Sequence, residues 1–207
     1  MIGGLQNFPE LVTDPSKFSH IRDECEKVID ARKRLPDFVF KKTFANYYVI
    51  EHALIASKPF GFLLSRLAAA FEDDYVHYMT IAPDAVDHYH RHLGFFGLAS
   101  FQSGSVEERF LPVMWRDGSV DSFLARGGDV AALWGSSLEW AIAADRISWE
   151  ISVIAASKNI DMTAITGFRC FDAEQVQSYV RSLYHAKDPS DSIASSFSER
   201  FLANYSI

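Results

Sequence analysis

Val130-Ala131-Ala132-Leu133-Trp134-Gly135-Ser136-Ser137-Leu138-Glu139-Trp140-Ala141-Ile142-Ala143-Ala144-Asp145-Arg146-Ile147-Ser148-Trp149-Glu150-Ile151-Ser152-Val153-Ile154-Ala155 is the stretch on which the fold turns. Its aromatic and β-branched residues, punctuated by Gly135-Ser136-Ser137 and Asp145-Arg146, predict three strands: Val130 to Trp134, Leu138 to Ala143 and Ile147 to Ala155. In the last, Ile147, Trp149, Ile151 and Val153 alternate with Ser148, Glu150 and Ser152, the period of a strand with two unlike faces. Connections this short require antiparallel pairing, because a parallel return needs a crossover of about a dozen residues or more.

Outward from this meander, Asp14-Pro15 opens a helix expected to reach about Leu35, with Phe18, Ile21, Cys25, Val28, Ile29 and Leu35 on its apolar stripe. Phe38 to Ala56 reads as strand, with helix as the alternative, and Pro59 starts a helix that is apolar nearly all round. Tyr75 to Ile81, Phe95 to Phe101 and Phe110 to Trp115 read as further strands, and Val120 to Arg126 as a short helix. Asp172 and Asp188-Pro189 open two closing helices, the second packing Ile193, Phe197 and Phe201 inward. The expectation is one α+β domain over residues 1–207, a largely antiparallel sheet partly covered by helices, with helical N- and C-terminal segments.

Composition narrows the function classes. Of 207 residues, 48% are hydrophobic and 23% charged, so a packed core is expected and disorder is not. The net charge of −7, with no block of five or more Lys and Arg, argues against broad contact with a phosphate backbone and suits a basic partner protein. No apolar run approaches the roughly 20 residues of a membrane span, and Met1 to Glu10 lacks the basic start and apolar run of a signal peptide. Cys25 and Cys170 are the only cysteines and make no disulfide scaffold, so a reducing, cytoplasmic location is expected. Cys25 lies on the apolar stripe of the first helix; Cys170 follows Arg169, which could lower a thiol pKa, yet a structural role is expected for both.

The densest chemistry lies in Asp84-Ala85-Val86-Asp87-His88-Tyr89-His90-Arg91-His92, which holds three of the seven histidines. On a strand, His88, His90 and His92 would share a face and could hold one metal ion. Pro83 and Gly94 favour a helix instead, which places Val86, Tyr89 and Leu93 on the apolar side, His90 at its border, and His88 and His92 with Asp84 on the polar side. His77, on the strand leading into this segment, is expected to be a packing residue, and Glu51-His52 to point to opposite faces. The chain carries no Gly-x-Ser-x-Gly elbow, P-loop, Gly-x-Gly-x-x-Gly run or Cys-x-x-Cys pair.

These features favour a non-enzymatic, cytoplasmic interaction or regulatory protein that needs no cofactor. In concrete form it is an immunity-like inhibitor that covers a basic site on its partner. Trp115, Trp134, Trp140 and Trp149 are expected mainly in the core, with Trp140 beside Glu139, Asp145 and Glu150 as the candidate acidic and aromatic docking surface. The alternative is a small metal-dependent hydrolase that holds a divalent transition metal on Asp84, His88 and His92, with His77 or His90 assisting. A small-ligand pocket under the sheet is a third class.

Overall fold

A computed structural model describes residues 8–115, 124, 128–146, 150–162, 170–185 and 192–206. Helix α1 (Pro15–Val28) is followed by β1 (Asn46–Glu51), a single tight turn of helix (His52–Ala56), α2 (Lys58–Phe71) and β2 (Tyr75–Ala82). A wide helical turn (Ala85–His90) runs into α3 (Arg91–Leu93), then β3 (Leu98–Gln102) and α4 (Val106–Met114). The meander β4 (Val130–Gly135), β5 (Trp140–Asp145) and β6 (Ile151–Ala156) precedes α5 (Ala173–His185) and α6 (Ser192–Tyr205).

The six strands form one sheet in the order β1-β6-β5-β4-β2-β3, with every pairing antiparallel. The α+β class and the antiparallel sheet are as the sequence predicts. Helices cover both faces, however. Phe60, Leu64, Leu67, Phe110 and Val113 from α2 and α4 pack with Val76, Leu133, Ile142 and Ile154. Phe18, Cys25, Val176, Phe197 and Phe201 from α1, α5 and α6 belong to the cluster on the other face, with Val49, Trp134, Ala141, Ile151 and Val153. The alternation expected in the third meander strand therefore does not mark a solvent face, and Ser152 is fully buried.

Several element boundaries differ from expectation for local reasons. Helix α1 opens as predicted, with the Asp14 carboxylate accepting the Lys17 N–H at 2.7 Å. It ends at Val28 rather than Leu35, because Ile29 turns extended and pairs with Phe40 while the Asp30 N–H donates to the Val39 carbonyl. Within Phe38 to Ala56 only Asn46–Glu51 is a named strand. The run from Phe110 to Trp115 is not a strand: Val106, Phe110, Val113 and Met114 recur at helical spacing, Glu107 and Glu108 suit the first turn, and Pro112 falls late in the helix. Leu138 and Glu150 hold left-handed backbone (φ 60° and 51°), so β5 and β6 start later than the apolar runs suggest.

The Asp172 cap is as expected, its carboxylate accepting the Gln175 N–H at 2.8 Å. Ile193 is 47% exposed rather than packed, and its neighbour Ala194 takes the inward position ahead of Phe197 and Phe201. The expected helix from Val120 to Arg126 lies outside the described residues apart from Leu124, as do Ile147 to Trp149 and Asp188-Pro189. Among the described residues, no helix is long and apolar enough to cross a membrane.

Candidate functional site

The antiparallel register puts His77 of β2 opposite Ser100 of β3 and Trp134 of β4, on the face that α1 covers. Helix α1 crosses this end of the sheet and leaves a cleft of about 270 Å³ between Lys17, His20, Ile21 and Glu24 on the helix and Tyr75, His77, Ser100 and Ser136 on the sheet side. The helical residues fall at i, i+3, i+4 and i+7, one face of two turns.

Glu24 lies between two imidazoles. One carboxylate oxygen is 3.6 Å from His20 Nε2 and the other 3.8 Å from His77 Nε2. The His77 side chain is 6% exposed, and its Nδ1 is buried without a hydrogen-bond partner. Burial, reinforced by the positive charge of Lys17 and His20, pushes its pKa down to about 4, so the ring is neutral at pH 7. It packs against Trp134 at 5.4 Å between ring centroids and parallel to Tyr75 at 6.2 Å and 13°. The Tyr75 side chain remains 41% exposed at the mouth of the cleft.

The backbone that presents Tyr75 is tied down. Ser136 Oγ accepts the N–H groups of Asp74 (3.1 Å) and Tyr75 (3.3 Å), and the Ser136 N–H donates to the Tyr75 carbonyl at 3.0 Å. Asp73, just before, is buried and accepts the Ser137 N–H and the Trp140 indole N–H, both at 2.6 Å. The backbone at Tyr75 is thus held in place, and its ring lies parallel to His77 on an open surface, flanked by the exposed acids Glu72 and Asp74.

The sequence-predicted positions fare unevenly. The histidine segment is helical, Gly94 ends it in the left-handed conformation (φ 77°), and Tyr89 is buried, all as expected of the helical reading. Asp84 caps this turn, its Oδ1 accepting the N–H groups of Val86 (2.8 Å) and Asp87 (2.7 Å). His88 and His92 stand 6.4 Å apart between ring centroids, His90 stacks on Phe96 at 4.1 Å, and among the described residues no three His, Cys, Asp or Glu side chains group to hold a metal ion.

The expected docking surface is not assembled around Trp140. Trp140 is fully buried with its N–H on Asp73, and Asp145 is 2% exposed, because the helices cover the second face of β5 as well. Glu139 pairs with Lys42 at 3.6 Å, and Glu150 is exposed at the turn before β6. Trp134 is core as expected; Trp115 is 36% exposed with its N–H on the Ala56 carbonyl at 3.1 Å. His52 is buried with Nδ1 3.4 Å from Ser152 Oγ, and burial is the main cause that pushes its pKa down to about 4. Burial raises both thiols, Cys170 to about 11, so neither is a ready nucleophile.

Sequence reasoning assigned His77 to packing and passed over Lys17, His20 and Glu24. Their spacing on α1 was legible, but their meeting with Tyr75 depends on how α1 crosses the sheet. The chain matches no protein-family model, no curated protein and no solved structure with which it was compared.

Proposed function

We propose that this chain is a non-enzymatic interaction protein that binds a basic partner protein through the surface around Tyr75. The observation that carries this reading is Tyr75 itself, a 41% exposed ring backed by His77 on a backbone anchored through Ser136. Aromatic anchors held in place before binding lose little conformational entropy and dominate interface energetics. Glu72 and Asp74 flank the ring, and the net charge of −7 favours encounter with a positively charged surface. In its sharpest form the reading is an immunity-like inhibitor that lays this face over the basic site of an enzyme.

A photo-crosslinking amino acid in place of Tyr75, with a control in place of exposed Ser178 on α5, tests this in extract of the source cells. A protein of net positive charge should be trapped from position 75 and not from position 178. The yield should fall as salt rises from about 0.05 to 0.3 M, as screening of opposed surface charges requires. Equal trapping at both positions, or trapping of an acidic protein independent of salt, removes the reading.

A further inference from the structure

We infer that the cleft beneath Tyr75 is a pocket for a single arginine side chain of the partner, with the guanidinium on Glu24 and against the Tyr75 ring. This rests on the reading of a basic partner and names the group recognised. Glu24 carries the argument. Its side chain is 22% exposed, and its ion-pair partners among the described residues are two histidines at 3.6 and 3.8 Å. One of these, His77, is neutral at pH 7 and does not balance the carboxylate, and Lys17, which lines the same cleft, forms no ion pair with Glu24. A carboxylate largely removed from water is stabilised by a cation that enters the same space.

The remaining walls select the kind of cation. The exposed Tyr75 ring, lying parallel to the buried His77 ring beneath it, presents aromatic surface on which a planar guanidinium stacks while its N–H fork meets a carboxylate. Ile21 provides apolar contact for a methylene stem. The volume of about 270 Å³ lies just below the range of about 300–1,000 Å³ typical of pockets for drug-sized ligands, and suits one side chain. Lys17 lies seven positions before Glu24, about 10 Å away along the helix axis, and lines the cleft wall with Tyr75 and Ser100.

The test uses the whole chain and Nα-acetyl-arginine methylamide, followed by NMR of the isotope-labelled protein, with the uncharged citrulline analogue as control. The arginine probe should give saturable shifts at residues 20, 24, 75 and 77, and the citrulline probe should bind at least tenfold more weakly. Glu24→Gln should weaken the arginine probe at least tenfold while leaving amide shifts remote from α1 in place, and Tyr75→Ala should weaken it independently. No saturable shift at these residues, equal binding of the two probes, or full binding by a folded Glu24→Gln protein overturns the pocket. If the probe fails while position 75 still traps a basic protein, the pocket falls and the docking face stands; if the probe binds and no basic protein is trapped, the reverse holds.

Discussion

The Asp73 carboxylate accepts the indole N–H of Trp140 at 2.6 Å, joining the start of β2 to the start of β5 inside the protein. Its other oxygen accepts the Ser137 N–H at 2.6 Å, so one buried side chain organises both the β4–β5 turn and the strand that carries Tyr75 and His77. Stability and the candidate site therefore depend on the same residue.

Asp73→Ala should lower the free energy of unfolding by about 3 kcal/mol, since it strands a buried indole N–H and a backbone N–H that had met a charged acceptor. Asp73→Asn, which keeps a carbonyl oxygen, should lose less. Urea unfolding of the three proteins gives the order directly.

Gly135 is needed for the same contact. A Cβ there would lie 2.1 Å from Asp73 Oδ2 and 2.5 Å from Trp140 Nε1, so Gly135→Ala must displace the carboxylate and should cost about 2 kcal/mol or more. Gly104 has nothing within 4 Å of the equivalent position, and Gly104→Ala should change stability by less than about 0.5 kcal/mol. Thermal unfolding of both variants checks the contrast.

His52 and His77 both have pKa values pushed down to about 4 by burial. Each titrates near 6.5 when unfolded, so between these values the unfolded chain binds more protons and stability falls as pH drops. Unfolding measured from pH 7 to pH 4 should show a steady loss, of the order of 3 kcal/mol per histidine by the acid end, and none from these groups between pH 7.5 and 9. His77→Gln should flatten the acid limb, and an unchanged limb would show that His77 does not contribute.

In the histidine segment, His90→Ala should cost about 1 kcal/mol because it removes a ring stacked on Phe96 at 4.1 Å and 9°. The double change His88→Ala and His92→Ala should alter stability by less than about 0.5 kcal/mol and leave the metal content of the purified chain as it was. Elemental analysis beside thermal unfolding separates this outcome from a metal site, which would lose its ion.

Local grammar was readable wherever the signal sits within one turn or one hairpin. Asp14-Pro15 and Asp172 open helices as capping chemistry demands, Gly94 closes one, and Gly135-Ser136-Ser137 turns β4 back into an antiparallel partner. The run around Phe110 misled because, taken from Phe110 on, it is too short to show a period; the helical spacing emerges only with Val106 included, and α2 packs alongside with Phe60 and Phe110 rings 5.5 Å apart. Ile193 and Ala194 show the same limit: either could face inward on an amphipathic helix, and in the fold Ala194 is buried while Ile193 is 47% exposed.

By itself the sequence determined the α+β class, the antiparallel meander and the helical histidine segment, because caps, turns and strand pairing over short loops act between near neighbours. Only the tertiary structure decided that the sheet is covered on both faces, that Trp140 and Asp145 are interior, and that Glu24 meets His77 beside an exposed Tyr75. Those outcomes follow from where α1 crosses the sheet and in what order the strands pair, and contacts between such distant segments leave no periodicity along the chain.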